Sequence, residues 1–233
     1  SNKGYSHAFE KGSDMWAHCI VNNAAYYMHN TYKYYMPNNI TYWIIDSDFS
    51  SAPMLNHGTA DNLEDIAILV SGVFALSFIT PDIFIGRNGK DYVKLYSNTV
   101  HETFHTMHFK NVGISYWNNY IRGIIKCRRE FDSGFIYGKT ETDTKYSGYI
   151  AVGETFAYAA EKYACDIVMP YATKALSDSP QRWFRPYTTW QLFKNKISPL
   201  EFLSCMDANV TSMDALAKRL NSKNSAIPLT LYK

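Results

Sequence analysis

At 233 residues, 46% hydrophobic and 19% charged, the chain is long enough to bury a core and is not composed like a disordered segment. A net charge of +2 without any dense Lys/Arg run argues against a nucleic-acid partner. The longest apolar run, Ile66 to Ile79, covers 14 residues and is interrupted by Ser71, Gly72 and Ser77. A bilayer span needs about 20 apolar residues, so this run reads as buried core and no transmembrane segment is expected.

In chain order, a first helix is expected from about Trp16 to Tyr35, ending before Pro37. Ile40 to Ile45, rich in Ile, Thr, Tyr and Trp, reads as a strand. A polar loop through Asp48, Asn56 and Gly58 follows, and the apolar run after it divides near Gly72 into a short helix and a strand around Val73 to Ile79. Asp82 to Gly86 is a further short strand, closed by the Asn88-Gly89 turn signal. From Tyr92 the period becomes helical, with Val93, Tyr96, Val100, Phe104 and Met107 three or four residues apart. A second long helix is expected over Tyr116 to Glu130, then a polar loop from Gly138 to Ser147, then a helix from Ile150 to Val168. In the tail, Ser198-Pro199 opens one short helix and Ser212 to Leu220 forms another. Fold class is therefore α+β, with the strands in the N-terminal half and helices through the C-terminal half.

The four cysteines, Cys19, Cys127, Cys165 and Cys205, contain no C-x-x-C pair, which argues against a cysteine metal site. Two disulfides or none are compatible with their number. The residues that carry chemistry are elsewhere: His101-Glu102-Thr103-Phe104-His105 is an H-E-x-x-H sequence on an expected helix. Four residues turn an α-helix by about 400°, so the two imidazoles leave one face a turn apart, the placement a tetrahedral zinc needs from two nitrogens. Glu102 stands beside them, placed to accept a proton from an activated water. In a chain with 7 histidines the pattern arises by chance in roughly one such sequence in 140, so it does not decide the matter alone. The plainer reading is a capping box, Thr99-x-x-Glu102, with His101 and His105 on an exposed surface.

Zinc needs a third protein ligand. A metzincin would carry Gly at 108 and His at 111, where this chain has His108 and Asn111; His108 is expected to face solvent or a neighbouring loop. No histidine follows His108, so the downstream ligand must be acidic. Among Glu130, Glu141, Glu154, Glu161 and Glu201, the choice is Glu154. It lies in the otherwise apolar Val152-Gly153-Glu154-Thr155-Phe156-Ala157, where a lone carboxylate is costly unless paired or metal-bound. Glu161 lies two turns along the same face and is the reserve.

His-Glu-x-x-His, followed 49 residues after His105 by Gly153-Glu154-Thr155-Phe156-Ala157, resembles the gluzincin zinc metallopeptidases. The second motif resembles the N-E-G-F-A segment of their aminopeptidase branch. Ala25-Tyr26-Tyr27 with Thr31 to Tyr35 is similar to the helix before the sheet in thermolysin-like enzymes, and Asp82 to Gly89 would match their edge strand and turn. The resemblance spans about Ala24 to Tyr163. It implies a zincin-like fold, with residues 1–115 as an N-terminal lobe carrying the sheet and the H-E-x-x-H helix. Residues 116–233 would then form a C-terminal helical lobe carrying the third-ligand helix, the two making one compact unit.

The resemblance also implies Zn2+ held by His101, His105 and Glu154, Glu102 as general base, and a peptide or protein substrate added as a strand along an edge near Phe84. Two departures stand out. Thermolysin-like enzymes carry an aspartate four residues after the ligand glutamate, where this chain has Tyr158, and they use a later histidine that is missing here. A tyrosine must then serve the transition state, with Tyr146 the choice by its interval before the ligand helix and Tyr149, Tyr158 and Tyr187 as alternatives. A catalytically inactive zincin-like domain that binds protein or glycan is the competing expectation. Because this clan is often exported, a secreted, periplasmic or cell-surface location is expected, with any export signal upstream of Ser1.

Overall fold

The computed structural model describes residues 8–47, 51–53, 82–131, 146–172, 175–178 and 184–232. Helices dominate and a small sheet lies in the N-terminal half, so the α+β class holds. Helix α1 (Asp14–Tyr32) opens on Ser13, whose hydroxyl accepts from the Trp16 amide at 3.2 Å, with Asp14 favourably placed in the first turn. It ends three residues before the expected Tyr35. The reason lies far along the chain: Lys110 donates to the carbonyls of Tyr34 and Met36, at 2.9 and 2.7 Å, and so stabilises a turn there.

Strand β1 (Tyr42–Ile45) pairs in parallel with β3 (Ile83–Gly86), and β2 (Ser51–Pro53) pairs antiparallel with the other side of β3. The sheet order among the described residues is β1-β3-β2. This corrects the expectation of an edge at Phe84. Ile83-Phe84-Ile85-Gly86 is buried throughout and flanked on both sides, as befits a short apolar run without alternation. Buried Asp82 fastens the start of β3 by accepting from the Thr41 amide and hydroxyl, at 2.8 and 2.9 Å. The Asn88-Gly89 turn follows, with Gly89 at φ +65°. The loop through Asp48, Asn56 and Gly58, the helix and strand expected around Val73 to Ile79, and the loop from Gly138 to residue 145 lie outside the described residues.

Helix α2 (Tyr92–Val112) is the axis of the molecule. Asp91 caps it through the Lys94 amide at 2.8 Å, and Gly113, at φ +78°, ends it with its amide on the Phe109 carbonyl. Thr99 is therefore mid-helix, its hydroxyl spent on the Leu95 carbonyl at 2.8 Å, and the capping-box reading fails. After α3 (Ile114–Phe131) comes α4 (Ser147–Val168), which packs along α2, as α1 also does. Phe104 of α2 meets Tyr32 of α1 at 5.3 Å and Phe156 of α4 at 5.6 Å, ring centre to ring centre. Burying three such rings, with Leu95, Val100, Met107, Val152 and Ala160 around them, contributes about 1.5–3 kcal/mol per large apolar side chain. The sheet is joined to this core where the Tyr42 and Thr103 hydroxyls meet at 2.9 Å.

The C-terminal part adds α5 (Pro186–Asn195), α6 (Pro199–Ser204) and α7 (Met213–Lys223). The last two match expectation, α6 with a full Ser198/Glu201 capping box. Helix α5 was not anticipated; its one sequence signal is Pro186 at the first position, masked by the strand-favouring Tyr187-Thr188-Thr189-Trp190. Cys19, Cys165 and Cys205 are free thiols. Among the described residues no helix is long and apolar enough to cross a membrane.

A candidate metal centre

Every residue from Leu95 to His108 is buried, which is unusual for a helix carrying three histidines and a glutamate in that stretch. The sequence explains how this is tolerated. Small or β-branched residues (Ser97, Thr99, Thr103, Thr106) satisfy their hydroxyls on the helix's own carbonyls, so three neighbours can pack closely on all sides. His101 and His105 then project side by side from one face, with Nε2 atoms 3.1 Å apart. Neither is the exposed surface residue of the plainer reading.

Glu154 comes from the facing turn of α4. Its Oε2 lies 3.6 Å from His101 Nε2 and its Oε1 3.5 Å from His105 Nε2. Three ligand atoms, one from each of His101, His105 and Glu154, fall within 4.8 Å of one another in a buried cluster that can hold a metal ion. A tetrahedral ion with bonds of about 2.0–2.1 Å places its ligands about 3.3–3.4 Å apart; the two nitrogens stand close to that spacing, and the carboxylate turns one oxygen toward each of them. The donor set therefore fits a zinc-sized cation.

Electrostatics agree with the geometry. Burial by itself would strip the proton from His101, but Glu154, Glu161 and Glu102 outweigh it and raise its pKa to about 10. Burial likewise opposes ionisation of Glu154, while His105 and His101 hold its carboxyl well below the usual range. Positive charge is thus stabilised at this point whether protons or a cation supply it. Glu102 is buried, and its charge acts on His101.

Two aromatic residues of α3 complete the wall. Tyr120 donates its hydroxyl to Glu154 Oε1, and its ring stacks on Trp117 with centres 4.5 Å apart. Both rings stand 5.8 Å from His105. Gly153 permits this, because a Cβ there would come within 2.9 Å of Tyr120 Cε2. The close helix approach rests on this glycine as well as on Ala157, which is fully buried.

Sequence reasoning missed Tyr120 and Trp117. Their signal was available in Trp117-x-x-Tyr120, an aromatic pair on one face of the helix linking the two ligand helices. Tyr146 stands at the N-cap of α4, half-buried, its ring 6.3 Å from Tyr149 and its Cβ against Gly123 of α3. Tyr149 accepts from Asn119 at 3.3 Å, and Tyr187 is exposed beside Trp190. Tyr158 packs its ring 4.4 Å from that of His101.

His108 corrects another expectation. It faces neither solvent nor a loop but is fully buried between Tyr116, Trp117 and Phe156, and neither ring nitrogen has a hydrogen-bond partner among the described residues. It lies seven residues from His101, hence on the same helix face two turns along, where aromatic rings rather than carboxylates receive it. Comparison with protein-family models, with curated proteins and with solved structures found no match to this chain. What the site does must be argued from its own chemistry.

Proposed function

We propose that the chain is a zinc-dependent peptidase of gluzincin type, with a zincin-like fold, in which His101, His105 and Glu154 hold the metal. The observation that carries this reading is the buried meeting of one ligand atom from each of His101, His105 and Glu154 within 4.8 Å, with Glu102 buried on the same helix. When bound, zinc lowers the pKa of a water toward neutrality and polarises a peptide carbonyl. Glu102 would serve as the general base, taking a proton from the attacking water and passing it to the leaving amine. For the oxyanion, Tyr146 is the donor that the resemblance implies by its interval before the ligand helix. An extended peptide would meet the sheet at β1 or β2 rather than at Phe84, which lies on the central strand.

The test is hydrolysis of a fluorogenic peptide library by the zinc-loaded chain and its Glu102→Gln variant. General-base loss is expected to lower turnover by roughly 100-fold or more while zinc stays bound. Full activity in the variant would sink this mechanism. Zinc at unit stoichiometry with no cleavage of any peptide would favour the competing reading, a non-catalytic domain that binds protein or glycan; the near-complete burial of Glu102 gives that reading some weight.

A further inference from the structure

His101 is gripped by one face of helix α4 at three points. Glu154, Tyr158 and Glu161 stand at positions i, i+4 and i+7, so all three point the same way. Glu154 Oε2 approaches Nε2 at 3.6 Å, the Tyr158 ring packs with its centre 4.4 Å from the imidazole centre, and Glu161 Oε2 lies 3.0 Å from Nδ1. The two ring nitrogens of an imidazole point in different directions. Since Nε2 is turned to His105 and Glu154, the carboxylate on Nδ1 is outside the donor cluster. Glu161 is thereby removed from the candidate ligands while His101 uses Nε2. His105 has no equivalent support: its Nδ1 has no hydrogen-bond partner among the described residues, and it is positioned by Trp117 and Tyr120 instead.

We propose that Glu161 is a positioning residue for the metal, holding a proton on His101 Nδ1 so that the lone pair of Nε2 is presented to the ion. A carboxylate can only accept a hydrogen bond, so a neutral imidazole facing it must carry its single proton on that side. The same contact fixes the ring's rotation and makes Nε2 a stronger donor, effects that typically amount to 10–100-fold in metal affinity. Helix α4 then supplies both a ligand and the group that orients a second ligand, and its register against α2 sets the site.

The proposal rests on the metal reading, and the experiment separates their failures. Zinc affinity is measured by competition with a chelator for wild type, Glu161→Ala and Glu161→Gln, alongside His105→Ala. The His101 Nδ1 proton is followed by NMR in the zinc-loaded, 15N-histidine-labelled chain. Glu161→Ala is expected to bind roughly 10–100-fold more weakly and to lose the slowly exchanging Nδ1 proton. Glu161→Gln, whose amide oxygen still accepts, should keep the proton and fall in between. Thermal unfolding of the metal-free proteins identifies a variant weakened by misfolding, and in that event the Gln variant carries the comparison. Wild-type affinity in Glu161→Ala would overturn the proposal. Loss as complete as in His105→Ala would overturn it too, making Glu161 a ligand. A wild type that binds no zinc would end the metal reading itself, and this proposal with it.

Discussion

Two histidines on one face of helix α2, seven residues apart, live under opposite rules. His101 is ringed by Glu154, Glu161 and Glu102, and its proton is held until about pH 10 despite burial. His108 is walled by Tyr116, Trp117 and Phe156; burial, with His105 adding a smaller push, lowers its pKa to about 3. Residue type and helix face are the same, so the neighbouring helices decide the difference. Helix α4 brings carboxylates to one end, and α3 brings aromatic rings to the other. A histidine is a cation site only where the fold delivers negative charge to it.

The largest test of this contrast is to remove the charge. Glu154→Ala should abolish stoichiometric zinc binding, as should His105→Ala, when metal content is measured on the purified proteins. In the metal-free state the glutamate variant should also lose stability, because the buried His101 cation is left with Glu161 and Glu102 only and the Tyr120 hydroxyl loses its acceptor. Denaturant unfolding measures that loss. Retained zinc in Glu154→Ala would show that the carboxylate end is not what distinguishes the two histidines.

A smaller effect is expected from the aromatic side. Gly153→Ala places a methyl 2.9 Å from Tyr120 Cε2 and 3.5 Å from His108 Nδ1, so the wall must shift. Overpacking of this kind costs about 1–3 kcal/mol. Because Tyr120 also holds Glu154, zinc affinity should fall along with stability. Unchanged affinity with lowered stability would mean that the two ends of the face are independent.

Much of this arrangement could be read before any coordinates. Helix α2, the paired histidines and the choice of Glu154 follow from local pattern: a helical period, a fixed spacing and an isolated carboxylate in an apolar segment. What escaped was set by distant partners. The fate of His108 depends on Trp117 and Tyr116 arriving from the next helix, and nothing in the six residues around it announces that. The early end of α1 depends on Lys110, some 75 residues away, reaching the Tyr34 and Met36 carbonyls. The central place of Ile83 to Gly86 depends on β2, a three-residue strand too short to be heard in the sequence. Glu161 was visible as a candidate but its role was not, since helical spacing gives the face of a side chain and not which nitrogen of a histidine it will meet.

The most discriminating prediction concerns pH. In the metal-free chain, the unfolded state titrates each histidine near 6.5. Above that value folded His101 keeps a proton that the unfolded chain has lost, so stability falls as pH rises toward about 10. Below it, unfolded His108 takes up a proton that the folded form refuses down to about 3, so stability falls as pH drops. The slope on either limb approaches about 1.4 kcal/mol per pH unit, and maximum stability lies near pH 6.5. Carboxylates such as Glu154, with an ordinary value of 4.5, enter only further down, which leaves the interval between 6.5 and 4.5 to His108. His108→Leu should therefore flatten that interval in denaturant titrations while changing stability at pH 7 little or raising it slightly, since an unpartnered buried polar group is replaced by an apolar one of similar size. A variant that keeps the acid limb would mean that His108 takes up its proton while still folded, and the contrast between the two ends of the helix would collapse.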